Sequence, residues 1–95
     1  MKTYDVLLNP NAVDELKKLP PSTAERVKDG LRRLRENPTK ARSGVDVKHI
    51  AGTSNPKLYR LRVGEYRAIF WVDEKRGDVL VEKVAPRKKV YIGIS

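Results

Sequence analysis

The sequence predicts an α+β fold: an N-terminal strand, a two-helix hairpin, then an antiparallel β-meander, with both helices packed on one face of the sheet. Three observations carry this reading. Apolar residues recur at helical spacing only in the N-terminal part of the chain, at Ala12, Leu16 and Leu19 and again at Ala24, Val27, Leu31 and Leu34. From residue 57 onward they alternate at strand spacing, in KLYRLRV and YRAIFWVD. The alternating stretches are separated only by Gly64-Glu65 and by EKRGD, which suit hairpin turns and are too short for a parallel crossover.

Thr3 to Leu8 contains Tyr, Val and Leu and reads as the first strand. Asn9-Pro10 starts a helix, because Asn caps and Pro suits the first helical position. Pro20-Pro21 ends it. Ser22-Thr23-Ala24-Glu25 has the form of a capping box for a second helix, and Asn37-Pro38 stops that helix. Residues 39–56 lack periodicity and read mostly as loop, with Val45 and Val47 as a brief extended piece. Three meander strands follow. In the last, Val79 and Val81 share a face that Val84 leaves, so a bulge near Glu82-Lys83 is expected. The order is β-α-α-loop-β-β-β, within one domain spanning residues 1–95.

Composition narrows the function. The formal net charge is +9, with a pI of about 10.0. Such a field attracts phosphate polymers, anionic membranes or acidic proteins, although a basic surface without a specific partner is the plain alternative. With no cysteine, disulfides, thiolate catalysis and cysteine-ligated zinc are excluded. The lone histidine, His49, has no His/Cys/carboxylate cluster around it in sequence, so neither a metal nor another cofactor is expected. No phosphate-binding glycine loop is present. No apolar run reaches membrane-spanning length, and the N-terminus lacks a secretory pattern. A cytoplasmic protein without a membrane partner is the expectation.

Strand alternation sorts the meander into faces. Tyr59, Leu61 and Val63 share one face with Tyr66, Ala68, Phe70 and Val72. Arg60 and Arg62 share the other with Arg67, Ile69 and Trp71. If the first set faces the helices, three guanidinium groups project from the uncovered side. Edge protection explains charge there, but mixed signs or lysine would serve equally well. Arginine alone keeps its charge and offers a planar fork matched to phosphate oxygens. The second helix is also basic, through Arg26, Lys28, Arg32, Arg33 and Arg35; such a run is ordinarily a solvated face and is also a candidate RNA-binding surface. Arg87, Lys88, Lys89 and Tyr91 close the chain. A tyrosine beside arginines stacks on a base, transfers a proton, or simply packs on the sheet edge.

In their order, the hairpin around NAVDELKKLPPSTAERV, the segment LYRLRVGEYRAIFWV and the ending PRKKVY resemble the RelE/ParE toxin superfamily of prokaryotic toxin–antitoxin systems. The resemblance spans nearly the whole chain, and Leu-Arg-Val-Gly-x-Tyr-Arg is its most specific piece. It implies a RelE-like microbial ribonuclease-type fold and a toxin held by a cognate, RelB-like antitoxin. It also implies a metal-independent, ribosome-dependent endoribonuclease that cleaves mRNA in the decoding site. Its catalytic set maps to Arg60, Arg62, Arg67, Arg87 and Tyr91. Arg26, Arg32, Arg33, Lys88 and Lys89 would bind RNA or the ribosome, and operator DNA would be met only through the antitoxin. Pro86 stands where the family often has His, so one proton carrier is missing and Lys83 is the fallback acid. Ile69 and Trp71 are expected to be apolar anchors for the antitoxin. Two alternatives within the same fold are a ParE-like DNA gyrase inhibitor and a catalytically weak toxin acting with its antitoxin as a repressor.

Overall fold

The computed structural model describes residues 2–91; Met1 and the last four residues of the tail lie outside it. Strand β1 (Asp5–Leu8) leads into helices α1 (Pro10–Lys17) and α2 (Pro21–Arg32), and a 3-10 turn, Arg33–Arg35, extends the second helix. Strands β2 (Asp46–His49), β3 (Tyr59–Val63), β4 (Tyr66–Asp73) and β5 (Asp78–Pro86) follow. They form one sheet in the order β1-β5-β4-β3-β2. All neighbours are antiparallel except β1, which runs parallel to β5 with Asp5 opposite Asp78. The α+β architecture is the expected one.

Asn9 caps α1 as the sequence suggests: its Oδ1 accepts from the Ala12 amide at 2.9 Å, a contribution of about 1 kcal/mol. The capping box at α2 does not form. Pro21 occupies the first helical position, Pro20 is the cap, and no side chain caps the helix, so Ser22 lies inside it. The proline already lacks the amide a cap would satisfy. Both apolar stripes turn to the sheet, burying Ala12, Leu16, Ala24, Val27, Leu31 and Leu34. They meet Leu61, Ala68, Phe70, Val79, Val81 and Val84, with Tyr59, Val63, Tyr66 and Val72 packed around them. A Cβ on Gly30 would lie 2.8 Å from Val63 Cγ2, so glycine is what lets α2 approach β3.

The expected loop over residues 39–56 contains a genuine edge strand. β2 pairs with β3 from Asp46 opposite Arg62 to His49 opposite Tyr59. The brief extended piece expected at Val45 and Val47 is this strand; only Val47 of its four residues is buried, which is too weak a pattern to give its length or its partner. Arg42 organises the approach to it. Its guanidinium donates to the carbonyls of Arg33 (3.0 Å), Glu36 (2.7 Å), Asn37 (2.9 Å) and Lys40 (2.7 Å). Of these carbonyls, that of Asn37 also accepts from the Lys40 amide at 3.0 Å, and the guanidinium ties the others of the terminating helix and the loop after it together. Arg42→Ala should therefore cost about 2 kcal/mol, read as a fall in Tm of roughly 8–16 °C. A Tm unchanged within error would show that water replaces the guanidinium at no cost.

A second tie holds the N-terminus. The Tyr4 hydroxyl donates to both Glu74 carboxylate oxygens, at 2.9 and 3.0 Å, and Lys2 Nζ lies 3.2 Å from Oε2. The bonds from Tyr4 and then Lys2 hold the Glu74 carboxyl below its ordinary range. The same bonds to Glu74 raise the Tyr4 phenol and the Lys2 ammonium. A depressed carboxyl stabilises the fold above its unfolded pKa, near 4.3, and that stability is lost as pH falls through the folded value. The raised groups stabilise below their unfolded values, near 10, and lose this as pH rises through their folded values. Tm should plateau between these limits. Glu74→Gln should lower the plateau slightly, by under about 1 kcal/mol for so exposed a carboxylate, and flatten the acid limb; an unaltered acid limb would place the titration elsewhere.

Candidate nucleic-acid interface and active site

Residues directly opposite in an antiparallel ladder project to the same side. On the face away from the helices, register places Asp46, Arg62, Arg67 and Ala85 in one row across β2, β3, β4 and β5. The next row is Lys48, Arg60, Ile69 and Lys83. The expected bulge is present: Ile69 opposes Lys83 while Phe70 opposes Val81, leaving Glu82 as the extra residue. It lets Val81 and Val84 both reach the core and turns Lys83 to the arginine side. Glu82 anchors the bulge by accepting from Trp71 Nε1 and Asn9 Nδ2, each at 2.8 Å.

This face is not as bare as alternation alone suggests. Residues after β5 fold back in a turn in which the Lys89 and Val90 amides donate to the Pro86 carbonyl, at 2.9 and 3.1 Å. Val90 is thereby fully buried against Ile69 and Ala85, with Ile50 and Leu58 at the margin. Ile69 is 1% exposed, so it is an anchor for the chain's own C-terminal turn and offers nothing to a partner. Trp71 is half-buried, with its ring nitrogen already engaged by Glu82. Covering Ile69 in this way sets Arg87 and Tyr91 beside the β-strand arginines.

Arg67 is the centre of the group and does not project freely. It is the only charged side chain classed as buried among the described residues. Its Nη1 donates to the carbonyls of Gly64 (2.8 Å) and Tyr66 (2.9 Å). Burial, then the like charges of Arg62, Arg60 and Arg87, lower its affinity for a proton, and Tyr91 acts in the opposite sense. The guanidinium nonetheless stays charged, as arginine does in proteins. Those four neighbours are the remaining members of the expected catalytic set, so the fold brings all five residues into one electrostatic cluster.

The five differ in how they are held. Arg60 Nη1 lies 3.1 Å from Asp46 Oδ1, and Arg62 Nη1 lies 3.9 Å from Asp46 Oδ2. No carboxylate lies within ion-pairing distance of Arg67 or Arg87 among the described residues. The Arg87 amide donates to the Glu65 carbonyl at 2.8 Å, tying the C-terminal turn to the β3–β4 turn, while its side chain is exposed. Tyr91 is 44% exposed. Lys83 Nζ donates to the Lys89 carbonyl at 3.3 Å, which places its ammonium against the same turn.

The wider basic surface divides. Arg26 lies at the same turn but on its helix side: a Cβ on Gly64 would lie 3.2 Å from its Nη2, and the charges that bear on Arg67 are those of Arg62, Arg60 and Arg87. Gly64 has φ of +57°, which glycine adopts without strain. Lys88 and Lys89 are exposed beside Arg87. Arg32 and Arg33 lie elsewhere, lining a cleft of about 420 Å³ with Arg35 and Arg42. Arg32 is paired with Asp29 on its own helix, which is what a solvated face would show. Sequence reasoning missed Asp46, which sits in a stretch of weak periodicity and carried no signal of its own. It placed the bulge at Glu82-Lys83 but not the bonds that Glu82 accepts there from Trp71 and Asn9.

Among the described residues, no group of three or more His, Cys, Asp or Glu side chains is arranged to hold a metal ion. The arrangement combines two guanidiniums that share Asp46, a buried cation fixed by two carbonyls, and an exposed one with no carboxylate in ion-pairing range among the described residues, a set whose chemistry suits phosphate oxygens. An exposed phenol stands beside them.

Comparison with known proteins places the chain. The family model for the ParE toxin of the type II toxin–antitoxin system parDE matches residues 6–91. A Methanocaldococcus jannaschii protein that bears the name toxin RelE1 is 26% identical over 91 residues, covering 93% of this chain and 94% of that protein. The archaeal RelE–RelB complex from Pyrococcus horikoshii contains a chain with 32% identity and a TM-score of 0.77, covering 93% of this chain and 99% of its own length. The RelB–RelE antitoxin–toxin complex from Methanococcus jannaschii matches with 27% identity and a TM-score of 0.70, over 94% of this chain and 99% of that one.

Proposed function

The chain belongs to the ParE toxin family of type II toxin–antitoxin systems, and we propose that it is a RelE-like endoribonuclease that cuts mRNA held in the ribosomal decoding site. It is neutralised by a RelB-like antitoxin and acts in the cytoplasm. The observation that carries this reading is the cluster itself: three guanidiniums and a phenol gathered around the buried guanidinium of Arg67. The names of the similar proteins, RelE in complex with RelB, support the same branch.

RNA supplies its own nucleophile. The 2′-oxygen attacks the adjacent phosphorus, the P–O5′ bond breaks, and negative charge gathers on the phosphoryl oxygens. Arg67 is preorganised for that charge, because two backbone carbonyls hold it and no reorganisation is needed on attack. Arg87 completes the clamp from the C-terminal turn. Arg60 and Arg62 bind flanking phosphates, and Arg26, Lys88 and Lys89 extend the track. Arg32 and Arg33 contact ribosomal RNA from their separate cleft.

Proton transfer is the sparse part of the site. Arginine is a poor acid and a poor base near neutrality. Tyr91 is the group best placed to stack on a base or carry a proton, and Lys83 is the second candidate acid. So few acid–base groups imply weak cleavage of free RNA, with the ribosome supplying geometry. A second reading, DNA gyrase inhibition, is favoured by the family's ParE designation. Primer extension on ribosome-bound mRNA decides between them. New 5′ ends within translated codons support the nuclease; intact mRNA together with blocked supercoiling selects the gyrase reading.

A further inference from the structure

We infer that Asp46 is an internal stand-in for an RNA phosphate, which sets the affinity and selectivity of the arginine face. This inference rests on the reading of that face as RNA-binding. Asp46 lies on edge strand β2, directly opposite Arg62 in the ladder. Its two carboxylate oxygens are divided between two guanidiniums, Oδ1 at 3.1 Å from Arg60 and Oδ2 at 3.9 Å from Arg62. Arg60 Nη1 also reaches the Asp46 carbonyl, at 3.5 Å. Two non-bridging phosphate oxygens would divide in the same way.

Three further features make the contact displaceable. The side chains of Asp46 and Arg62 are 51% and 56% exposed, that of Arg60 is 21% exposed, and none of the three is a core residue, so the carboxylate swings away without disturbing the core. No other carboxylate pairs with a member of the five-residue cluster among the described residues. The pairing also stops at the β3 arginines, leaving Arg67 and Arg87 uncompensated. In the free protein the carboxylate relieves repulsion within the row formed by Arg62 and Arg67. An incoming anion must replace it at Arg60 and Arg62 while engaging Arg67 and Arg87. A chain of consecutive phosphodiesters does both; a single mononucleotide displaces the carboxylate without reaching the second pair. Asp46 is thus a specificity-determining residue that favours polymeric RNA.

The test is fluorescence-anisotropy binding of a short labelled single-stranded RNA over a salt series. It uses the wild type, Asp46→Asn, the pair Arg60→Ala with Arg62→Ala, and all three changes together. Removing exposed ion pairs of this kind should tighten binding roughly 2- to 5-fold in Asp46→Asn. The salt dependence should steepen by about 0.7 for each additional phosphate neutralised. The asparagine should have no effect once both arginines are gone, and mononucleotide competition should strengthen in Asp46→Asn alone. If the arginine pair weakens binding but Asp46→Asn leaves affinity and slope unchanged or lower, Asp46 is a positioning contact and the inference is overturned. If the arginine pair binds RNA like the wild type, the RNA-binding reading of the face fails, and this inference with it. Thermal unfolding of each variant verifies that the fold is retained.

Discussion

Arg87→Ala should abolish growth arrest and reduce cleavage of ribosome-bound mRNA by about 10²–10³-fold, the usual effect of deleting one donor that faces transition-state charge. The fold should survive. The Arg87 side chain is exposed, and the link between the C-terminal turn and the β3–β4 turn runs through its backbone amide, which alanine keeps. Val90 still buries against Ile69 and Ala85. Cleavage and stability therefore separate in this variant. Single-turnover cleavage and Tm should be measured on the same preparation. Wild-type cleavage would remove Arg87 from the mechanism, and a large fall in Tm would mean that its effect is structural.

Arg67→Ala should show the opposite coupling, with catalysis and stability failing together. Its guanidinium donates to both the Gly64 and the Tyr66 carbonyls. Deleting it removes that donor from two acceptors in a half-closed space, a cost of about 1–3 kcal/mol. Relief of repulsion from Arg62, Arg60 and Arg87 offsets part of that loss. Cleavage should again fall by about 10²–10³-fold. Arg67→Lys separates the two roles. An ammonium keeps the charge but lacks the planar fork that serves two carbonyls and a phosphate at once. It should recover stability more than rate. A lysine variant with full rate would mean that charge alone suffices and that the carbonyl bonds have no part in positioning.

The residues of the candidate site were readable individually because strand alternation has a period of two. Once Leu61 and Phe70 were assigned to the core, Arg60, Arg62 and Arg67 had to share the other face. Their different environments were not readable. Nothing local to Arg67 says that Gly64 and Tyr66 carbonyls will hold it, because those bonds depend on how the β3–β4 turn closes. Nothing in residues 39–56 says that Asp46 will stand opposite Arg62, because an edge strand with one buried residue has almost no pattern. The burial of Ile69 is similar: alternation put it on the uncovered side, and a turn beginning at Pro86 covered it.

The sequence by itself determined the helix stripes, the proline and asparagine boundaries, the sorting of arginines from aliphatics, and the need for a bulge before Val84. These follow from local periodicity and from what each side chain costs to bury, and they hold whatever lies across the sheet. Only the tertiary structure decided which cations became counterparts and which remained uncompensated. Ladder register set Asp46 against the β3 arginines, and the C-terminal turn set Arg87 and Tyr91 beside a buried Arg67. The reason is physical. Electrostatic free energy depends on separation and on the surrounding dielectric, and both are properties of residues distant in the chain that meet only after the sheet has closed.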